Sequence, residues 1–214
     1  AATFTTGADN IVGTDGAISY TAVRSAISSE NTLSGTDKLD GGAGTDTLAV
    51  NLKSSFDGFT TGGVKNVEIV TLTNTTDVAR TFDATGVTGA STYNLDSKTG
   101  VSVINADTLG SVNVLNRASG TTTVDFDDTK ISTTTDNSLN LGVSALGSGA
   151  STFVTVTAPD IQKMTVTSSG AASNVDLAGA PLKSLTIKGA SDISVKATGV
   201  TTLTSIDASE ATGK

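Results

Sequence analysis

Short segments rich in Thr, Val and Leu recur along most of the chain at intervals of about ten residues. Within each segment apolar residues alternate with polar ones, which is the two-residue period of a β-strand with one buried face. Gly, Ala, Ser and Asn separate the segments. The pattern predicts many short strands, of which the clearest are residues 48–52, 68–73, 101–104, 112–115, 122–126, 153–157 and 184–188.

Internal repetition favours one architecture among those that such strands permit, which include sandwiches and barrels. Each repeat unit has room for a second strand, at 174–177 and 192–195. A parallel solenoid stacks the same apolar position of each coil above its predecessor. A repeat of 21 residues therefore predicts an all-β fold, a right-handed parallel β-helix or β-solenoid. The apolar positions that recur every 21 residues are Ile161, Leu182 and Leu203, then Met164, Leu185 and Ile206, and then Val166, Ile187 and Ala208.

Two further features are typical of such coils. The apolar-x-x-apolar-x-apolar phrase of the repeat also occurs earlier, at 64–69 and 109–114. Pro159 and Pro181 each stand just before a copy of the phrase, at a coil corner where the missing N–H removes no ladder hydrogen bond. A stack of coils has exposed edges at both ends, and the last residues contain no capping pattern, so we expect the solenoid to continue beyond Lys214.

One segment departs from the strand pattern and indicates metal chemistry. Residues 41–49 read Gly-Gly-Ala-Gly-Thr-Asp-Thr-Leu-Ala and fit the nonapeptide G-G-x-G-x-D-x-U-x of calcium-binding parallel β-rolls, where U is a large apolar residue. Glycines let the backbone turn tightly and aim carbonyl groups at one point, and the aspartate adds charge. Residues 35–39 repeat the Gly-Thr-Asp-x-Leu of 44–48, while 7–11 and 13–15 keep parts of it. The segment therefore predicts a site for a hard cation, Ca²⁺.

Two questions about these loops stay open from the sequence. Loops rich in Gly and Asp are also ordinary turns. In a regular β-roll successive nonapeptide loops fall on opposite sides, so loops 32–37 and 41–46 are not expected to share an ion. Each then needs another donor: the 13–16 turn for the first, and the segment after Leu52, with Asp57, for the second. We expect about one to three ions in this region.

The change of pattern divides the chain into two parts. Residues 1–52 form the predicted calcium-binding region, with a short helical or irregular insertion at 17–31. The helical option rests on the spacing of Ile18, Ala22, Ala26 and Ile27. Residues 53–214 form the predicted Thr-rich parallel β-solenoid, with coils near 21 residues.

Composition excludes several classes of function. The 214 residues include no Cys and no His, which excludes disulfides, zinc sites of the Cys/His kind and a histidine general base. A net charge of −8 argues against nucleic acid or an anionic membrane as partner. No run of 18 apolar residues occurs, so membrane insertion is not expected. With 4% aromatic residues and no Trp, the core must be built from Val, Leu, Ile, Ala and Thr.

The order of segments 5–14, 33–37, 41–48 and 64–72 resembles the repeats-in-toxin (RTX) type of bacterial surface-layer (S-layer) protein. The resemblance implies type I secretion, calcium-dependent folding at the bacterial cell surface, and self-association into a lattice without enzymatic activity. It also implies attachment to cell-surface polysaccharide or lipopolysaccharide through other domains. The chain departs from the wider group in having one full nonapeptide. The implied Ca²⁺ ligands are Asp9, Asp37, Asp46 and carbonyl groups around Gly35, Gly42 and Gly44, with Asp15 and Asp40 as further candidates.

Two rival functions remain open from the sequence. A calcium-dependent adhesin or stalk module could present a Thr-rich face to a partner, a glycan or ice, although Thr is also an ordinary strand residue. A polysaccharide-active β-helix enzyme would need clustered carboxylates, and Asp125, Asp127 and Asp128 form the best cluster. We interpret this cluster as a solvated acidic strand end. The residues of the Thr-rich faces are Thr71, Thr73, Thr155, Thr157, Thr165 and Thr167.

Overall fold

The computed structural model describes residues 2–214, which form twenty β-strands and no helix. The first ten strands are β1 (Ala2–Thr3), β2 (Asn10–Val12), β3 (Ser19–Arg24), β4 (Lys38–Asp40), β5 (Thr47–Leu52), β6 (Gly63–Lys65), β7 (Ile69–Thr73), β8 (Arg80–Asp83), β9 (Val87–Thr88) and β10 (Thr92–Asp96). The others are β11 (Val101–Ala106), β12 (Ser111–Leu115), β13 (Gly120–Phe126), β14 (Ser138–Ser144), β15 (Val154–Thr157), β16 (Lys163–Ser168), β17 (Ser173–Asp176), β18 (Ser184–Gly189), β19 (Ile193–Lys196) and β20 (Ser205–Ala211).

The strands stack into three sheets that run along one axis. The main sheet has ten strands in the order β1-β3-β5-β7-β10-β12-β14-β16-β18-β20. The second sheet has six, in the order β8-β11-β13-β15-β17-β19, and the third has four, in the order β2-β4-β6-β9. Every pair is parallel. The chain therefore winds through about ten coils, and the predicted all-β parallel solenoid is confirmed.

The core is a stack of apolar side chains, one set for each coil. The phase of 21 residues is reproduced in the strand register, where Leu185 lies between Met164 and Ile206. Along β5 the residues alternate between half-buried and buried, as the sequence pattern predicts for a strand with one face on the core. The six Phe residues include a cluster in which Phe56 stacks on Phe82 and meets the edge of Phe59.

The helical option for residues 17–31 is wrong. Ser19–Arg24 form β3, which pairs with β5 so that Tyr20 lies beside Leu48 and Ala22 beside Val50. Tyr20 and Ala22 are buried while the residues between and before them are exposed, so a two-residue period outweighs the weak helical spacing. Pairing with a neighbouring coil also supplies the backbone hydrogen bonds that a helix would otherwise make. Residues 25–31 are irregular, which agrees with the other option.

The corners connect the sheets and differ along the stack. Up to β9 a coil crosses the third sheet before it returns to the main sheet, whereas from β11 onward the chain returns directly. Pro159 and Pro181 lie in these direct returns, outside any strand, as predicted. Within residues 2–214 there is no helix of the length and apolar character needed to cross a membrane.

Candidate metal centre

Two sets of stacked turns contain all the predicted ligands except Asp40, which ends strand β4. The lead-in corner consists of the turns that precede main-sheet strands, at 13–18, 41–46 and 66–68. The opposite corner consists of the turns at 5–9, 32–37 and 57–62, which precede the third sheet. Loops 32–37 and 41–46 are thus on different sides of one coil, as the sequence predicts.

The predicted partners of these two loops are exchanged. The 13–16 turn lies against 41–46, since Gly16 N–H donates to the Ala43 carbonyl at 2.8 Å and Asp15 bridges to Ala43. The segment after Leu52 lies against 32–37, where Thr60 N–H donates to the Gly35 carbonyl at 2.9 Å. The reason is topological: a coil passes each corner once, so loops that share a corner must precede strands of the same sheet.

Asp46 has the most unusual environment among the predicted ligands. Its side chain is fully buried, and its Oδ1 accepts a hydrogen bond from the backbone N–H of Ile18 at 2.7 Å. Its Oδ2 is also buried and receives no hydrogen bond. A buried carboxylate oxygen without a donor is strongly disfavoured unless another positive group reaches it. No group of the described residues donates to this oxygen, which sets Asp46 apart from the other predicted ligands.

A second oxygen shares with Asp46 Oδ2 the space beside Gly41. A Cβ atom on Gly41 would stand 2.8 Å from Asp46 Oδ2 and 1.8 Å from the carbonyl oxygen of Asn66. Glycine is needed here because of this close approach of oxygen atoms. Asn66 itself has a φ of 53°, in the left-handed region that Asn tolerates better than most residues. The motif glycine and the next coil thus bring a carbonyl and a carboxylate oxygen to one place.

Tyr20 and Glu68 complete the surroundings of this site. The Tyr20 hydroxyl donates a hydrogen bond to the Gly41 carbonyl at 3.1 Å. Burial raises the pKa of Tyr20, and the negative charges of Asp46 and Asp40 raise it further, so the hydroxyl keeps its proton. Glu68 Oε2 accepts the backbone N–H of Asp46 at 2.8 Å. Neither residue was a predicted ligand.

The carboxylate of Asp37 differs from that of Asp46, although both are fully buried. Asp37 Oδ1 accepts the N–H of Asp9 at 2.9 Å, and Oδ2 accepts the N–H of Ser34 at 2.7 Å. Asp9 in turn accepts both the N–H and the hydroxyl of Thr5. The Gly35 carbonyl receives three N–H groups, from residues 60–62. The opposite corner thus satisfies its acidic groups within the protein, as an ordinary turn does.

The other predicted ligands surround the Asp46 site without pointing to a second one. Asp40 forms an ion pair with Lys65 at 3.0 Å, and hydrogen bonds, first from Asn66 and then from Lys65, lower its pKa. Asp15 is exposed. Gly42 and Gly44 have φ values of 91° and 115°, and a Cβ on either would meet backbone atoms of the 13–16 turn. These two glycines allow the turns to stack.

The donor set at the lead-in corner suits a hard cation. Within residues 2–214 no group of three or more acidic side chains is placed to hold a metal ion, so a cation at Asp46 would take carbonyl oxygens as well as carboxylates. Such a mixture of oxygen ligands is typical of Ca²⁺. The three ion pairs of the described chain involve Glu30, Asp40 and Asp136, and leave Asp46 and Glu68 without a cationic side chain. The oxygen donors at this corner are of the kind that Ca²⁺ uses.

The acidic cluster at the end of β13 has an additional member that the sequence did not indicate. Asp160 Oδ2 accepts the N–H of Phe126 at 3.0 Å across a gap of 34 residues. Burial, and then the neighbouring Asp160, raise the pKa of Asp125 to about 6. Asp127 accepts the N–H and hydroxyl of Thr129, which lower its pKa, and Asp128 is exposed. The cluster is thus only partly the solvated strand end that we predicted.

Comparison with known proteins gives no relative. The chain matches no protein-family model, no curated protein and no solved structure.

Proposed function

We propose that this chain is a structural, calcium-binding segment of a secreted bacterial surface-layer protein, which folds and assembles outside the cell when it binds calcium. The observation that carries the calcium part is the buried Oδ2 of Asp46, which has no hydrogen-bond donor and lies beside the Asn66 carbonyl at the motif glycine. The order of motifs that resembles RTX-type surface-layer proteins supports the wider role. No enzymatic activity is included in the proposal.

In this proposal the protein's residues hold the ion and the ion supplies positive charge. Asp46 Oδ2 and the Asn66 carbonyl would be ligands, and Gly41 keeps the space between the two coils free of a side chain. Tyr20 holds the Gly41 carbonyl through its hydroxyl, which steadies the backbone at the site. Because the ligands come from different coils, binding energy would become folding energy, so low cytoplasmic calcium would keep the stack unstable until export.

The calcium proposal predicts a large shift in thermal stability. Unfolding would be followed by far-UV circular dichroism with millimolar calcium and with excess chelator, and magnesium would serve as the control ion. At about 100 times Kd one site stabilises the fold by about 2.7 kcal/mol, which for this chain length corresponds to a Tm rise of about 5–10 °C. Identical curves in calcium and chelator would contradict the proposal.

Two matched substitutions locate the effect. Asp46→Asn keeps an oxygen for the Ile18 N–H but removes the charge, so it should abolish the calcium-dependent rise in Tm. Asp37→Asn removes a carboxylate of equal burial whose two oxygens are already bonded, so it should lower Tm by similar amounts in calcium and in chelator. A loss of the calcium effect in Asp37→Asn alone would place the ion at the opposite corner.

The assembly part of the proposal needs a separate measurement. Light scattering and electron microscopy of the purified chain with and without calcium would report self-association. Ordered arrays that form with calcium and dissolve with chelator would support the surface-layer role. A protein that remains monomeric with calcium but binds cells or glycans would favour the adhesin or stalk role.

A further inference from the structure

We propose that Glu68, which lies outside the glycine-aspartate motif, is a ligand of the same cation as Asp46. This inference rests on the proposed calcium function and extends it to a coil with no motif of its own. Glu68 belongs to the phrase 64–69, whose spacing predicts only a strand.

The residues that precede main-sheet strands occupy structurally equivalent positions. Ile18, Asp46 and Glu68 each stand immediately before a strand of the main sheet, as do Asn137 and Gln162. At this position a side-chain oxygen can accept the backbone N–H of the equivalent residue one coil earlier. Asp46 Oδ1 does so for Ile18 at 2.7 Å, Glu68 Oε2 for Asp46 at 2.8 Å, and Gln162 Oε1 for Asn137 at 2.8 Å. The same hydrogen bond between coils thus occurs twice at the lead-in corner and once at the equivalent position of the later coils.

This hydrogen bond does not need a charge. Gln162 makes it with a neutral amide oxygen at the same distance as Glu68. A glutamate differs from a glutamine in carrying a negative charge and in offering a second oxygen where the amide has an NH₂ group. Glu68 therefore carries a negative charge and a second carboxylate oxygen that the backbone hydrogen bond does not require. A cation would bind to both.

The negative charge of Glu68 lies beside the buried carboxylate of Asp46. Glu68 is half-buried and bonded to the backbone of Asp46, whose own carboxylate is fully buried with one oxygen unpartnered. Two carboxylates at one corner repel each other, and neither takes part in the ion pairs of residues 2–214. A divalent cation between them would compensate both charges. The Asn66 carbonyl, from the same turn as Glu68, would be a third donor at this site.

The test separates the charge of Glu68 from its hydrogen bond. Calcium would be titrated calorimetrically into the wild-type chain and into Glu68→Gln, and Tm would be measured in chelator. Gln keeps the acceptor for the Asp46 N–H, so Glu68→Gln should fold and should melt in chelator at or above the wild-type temperature. Its calcium affinity should fall about 10–100-fold. Glu68→Asp, which keeps the charge on a shorter side chain, should bind calcium with intermediate affinity.

The control is Gln162, whose neutral side chain makes the equivalent hydrogen bond in the later coils. Gln162→Ala removes the same kind of hydrogen bond from Asn137, so it should lower Tm equally in calcium and in chelator and leave calcium affinity unchanged. If wild type and Glu68→Gln bind calcium equally, Glu68 is only a backbone acceptor and this inference fails while the calcium proposal stands. If wild type binds no calcium, both fail.

Discussion

The lead-in corner is built differently in the two halves of the solenoid. In the early coils it carries the carboxylates of Asp46 and Glu68, whereas in the later coils the same hydrogen bond between coils comes from the amide of Gln162. The backbone requirement is the same in both places, because a strand is about to join the main sheet. The comparison shows that a neutral amide can make this hydrogen bond, so the charges of Asp46 and Glu68 are not required for it.

The last coil also differs from the interior coils in how its core is covered. Tyr20 in the early coils is 1% exposed, whereas Ile206 in the last strand is 63% exposed. Each coil of a solenoid gains its stability from the coils on either side, so these positions differ in how many apolar neighbours they have. Substitutions of similar chemistry should therefore have unequal effects along the stack, and a pair of glycines and a pair of core residues test this.

The largest effect is expected at Gly41. A Cβ at this residue would stand 1.8 Å from the backbone oxygen of Asn66, so Gly41→Ala must displace one coil from the next. We expect a loss of about 3 kcal/mol or more in the free energy of unfolding, measured by urea denaturation. Gly199→Ala is the control in the late coils, where φ is 74° but no atom lies within 4 Å, and should lose only about 1 kcal/mol. Equal losses would show that the corner at Gly41 is not closely packed.

The next effect compares core positions. Leu48 is fully buried between neighbouring coils, so Leu48→Ala should lower the free energy of unfolding by about 2–5 kcal/mol. Ile206→Ala, at a residue that is 63% exposed, should lower it by less than about 1 kcal/mol. Both values would come from the same denaturation experiment, and a large effect at Ile206 would mean that another molecule covers the last coil in solution.

The smallest effect concerns Asp125, at the end of β13, and its neighbour Asp160. Because the pKa of Asp125 is raised to about 6, the folded state holds this proton more tightly than the unfolded chain does. The stability from this group is therefore present below its ordinary pKa of 3.8 and is lost as pH rises to about 6. Asp125→Asn should raise the free energy of unfolding at pH 7 by about 1 kcal/mol, after allowance for solvent screening, and should change little at pH 3.

Asp136 provides the control for this pH dependence. A hydrogen bond from Lys183 lowers the pKa of Asp136, so its contribution has the opposite sign. Its stabilisation is present at neutral pH and is lost as pH falls through the lowered pKa. Asp136→Asn should therefore lower Tm at pH 7, where Asp125→Asn raises it. Thermal melts of both variants at pH 3 and pH 7 check the two signs, and a lower Tm for Asp125→Asn at pH 7 would contradict the assignment.

Part of the candidate site could be predicted from the sequence. The nonapeptide at 41–49 led directly to Asp46, since a motif is read from residues that are adjacent in the chain. Glu68 could have been found from one signal, an acidic residue immediately before a strand that repeats the position of Asp46. The contribution of Asn66 could not be predicted, because every residue has a carbonyl group and only the backbone conformation decides where it points.

The sequence by itself determined that the chain is a parallel solenoid, because the two-residue alternation and the 21-residue phase allow each apolar position to stack on the next. It also determined which loop carries the strongest calcium motif. Only the tertiary structure decided which turns share a corner, and it exchanged the two pairs that we predicted. The physical reason is that turns in contact are separated by a whole coil, and the lengths of the irregular segments between strands decide which turn meets which.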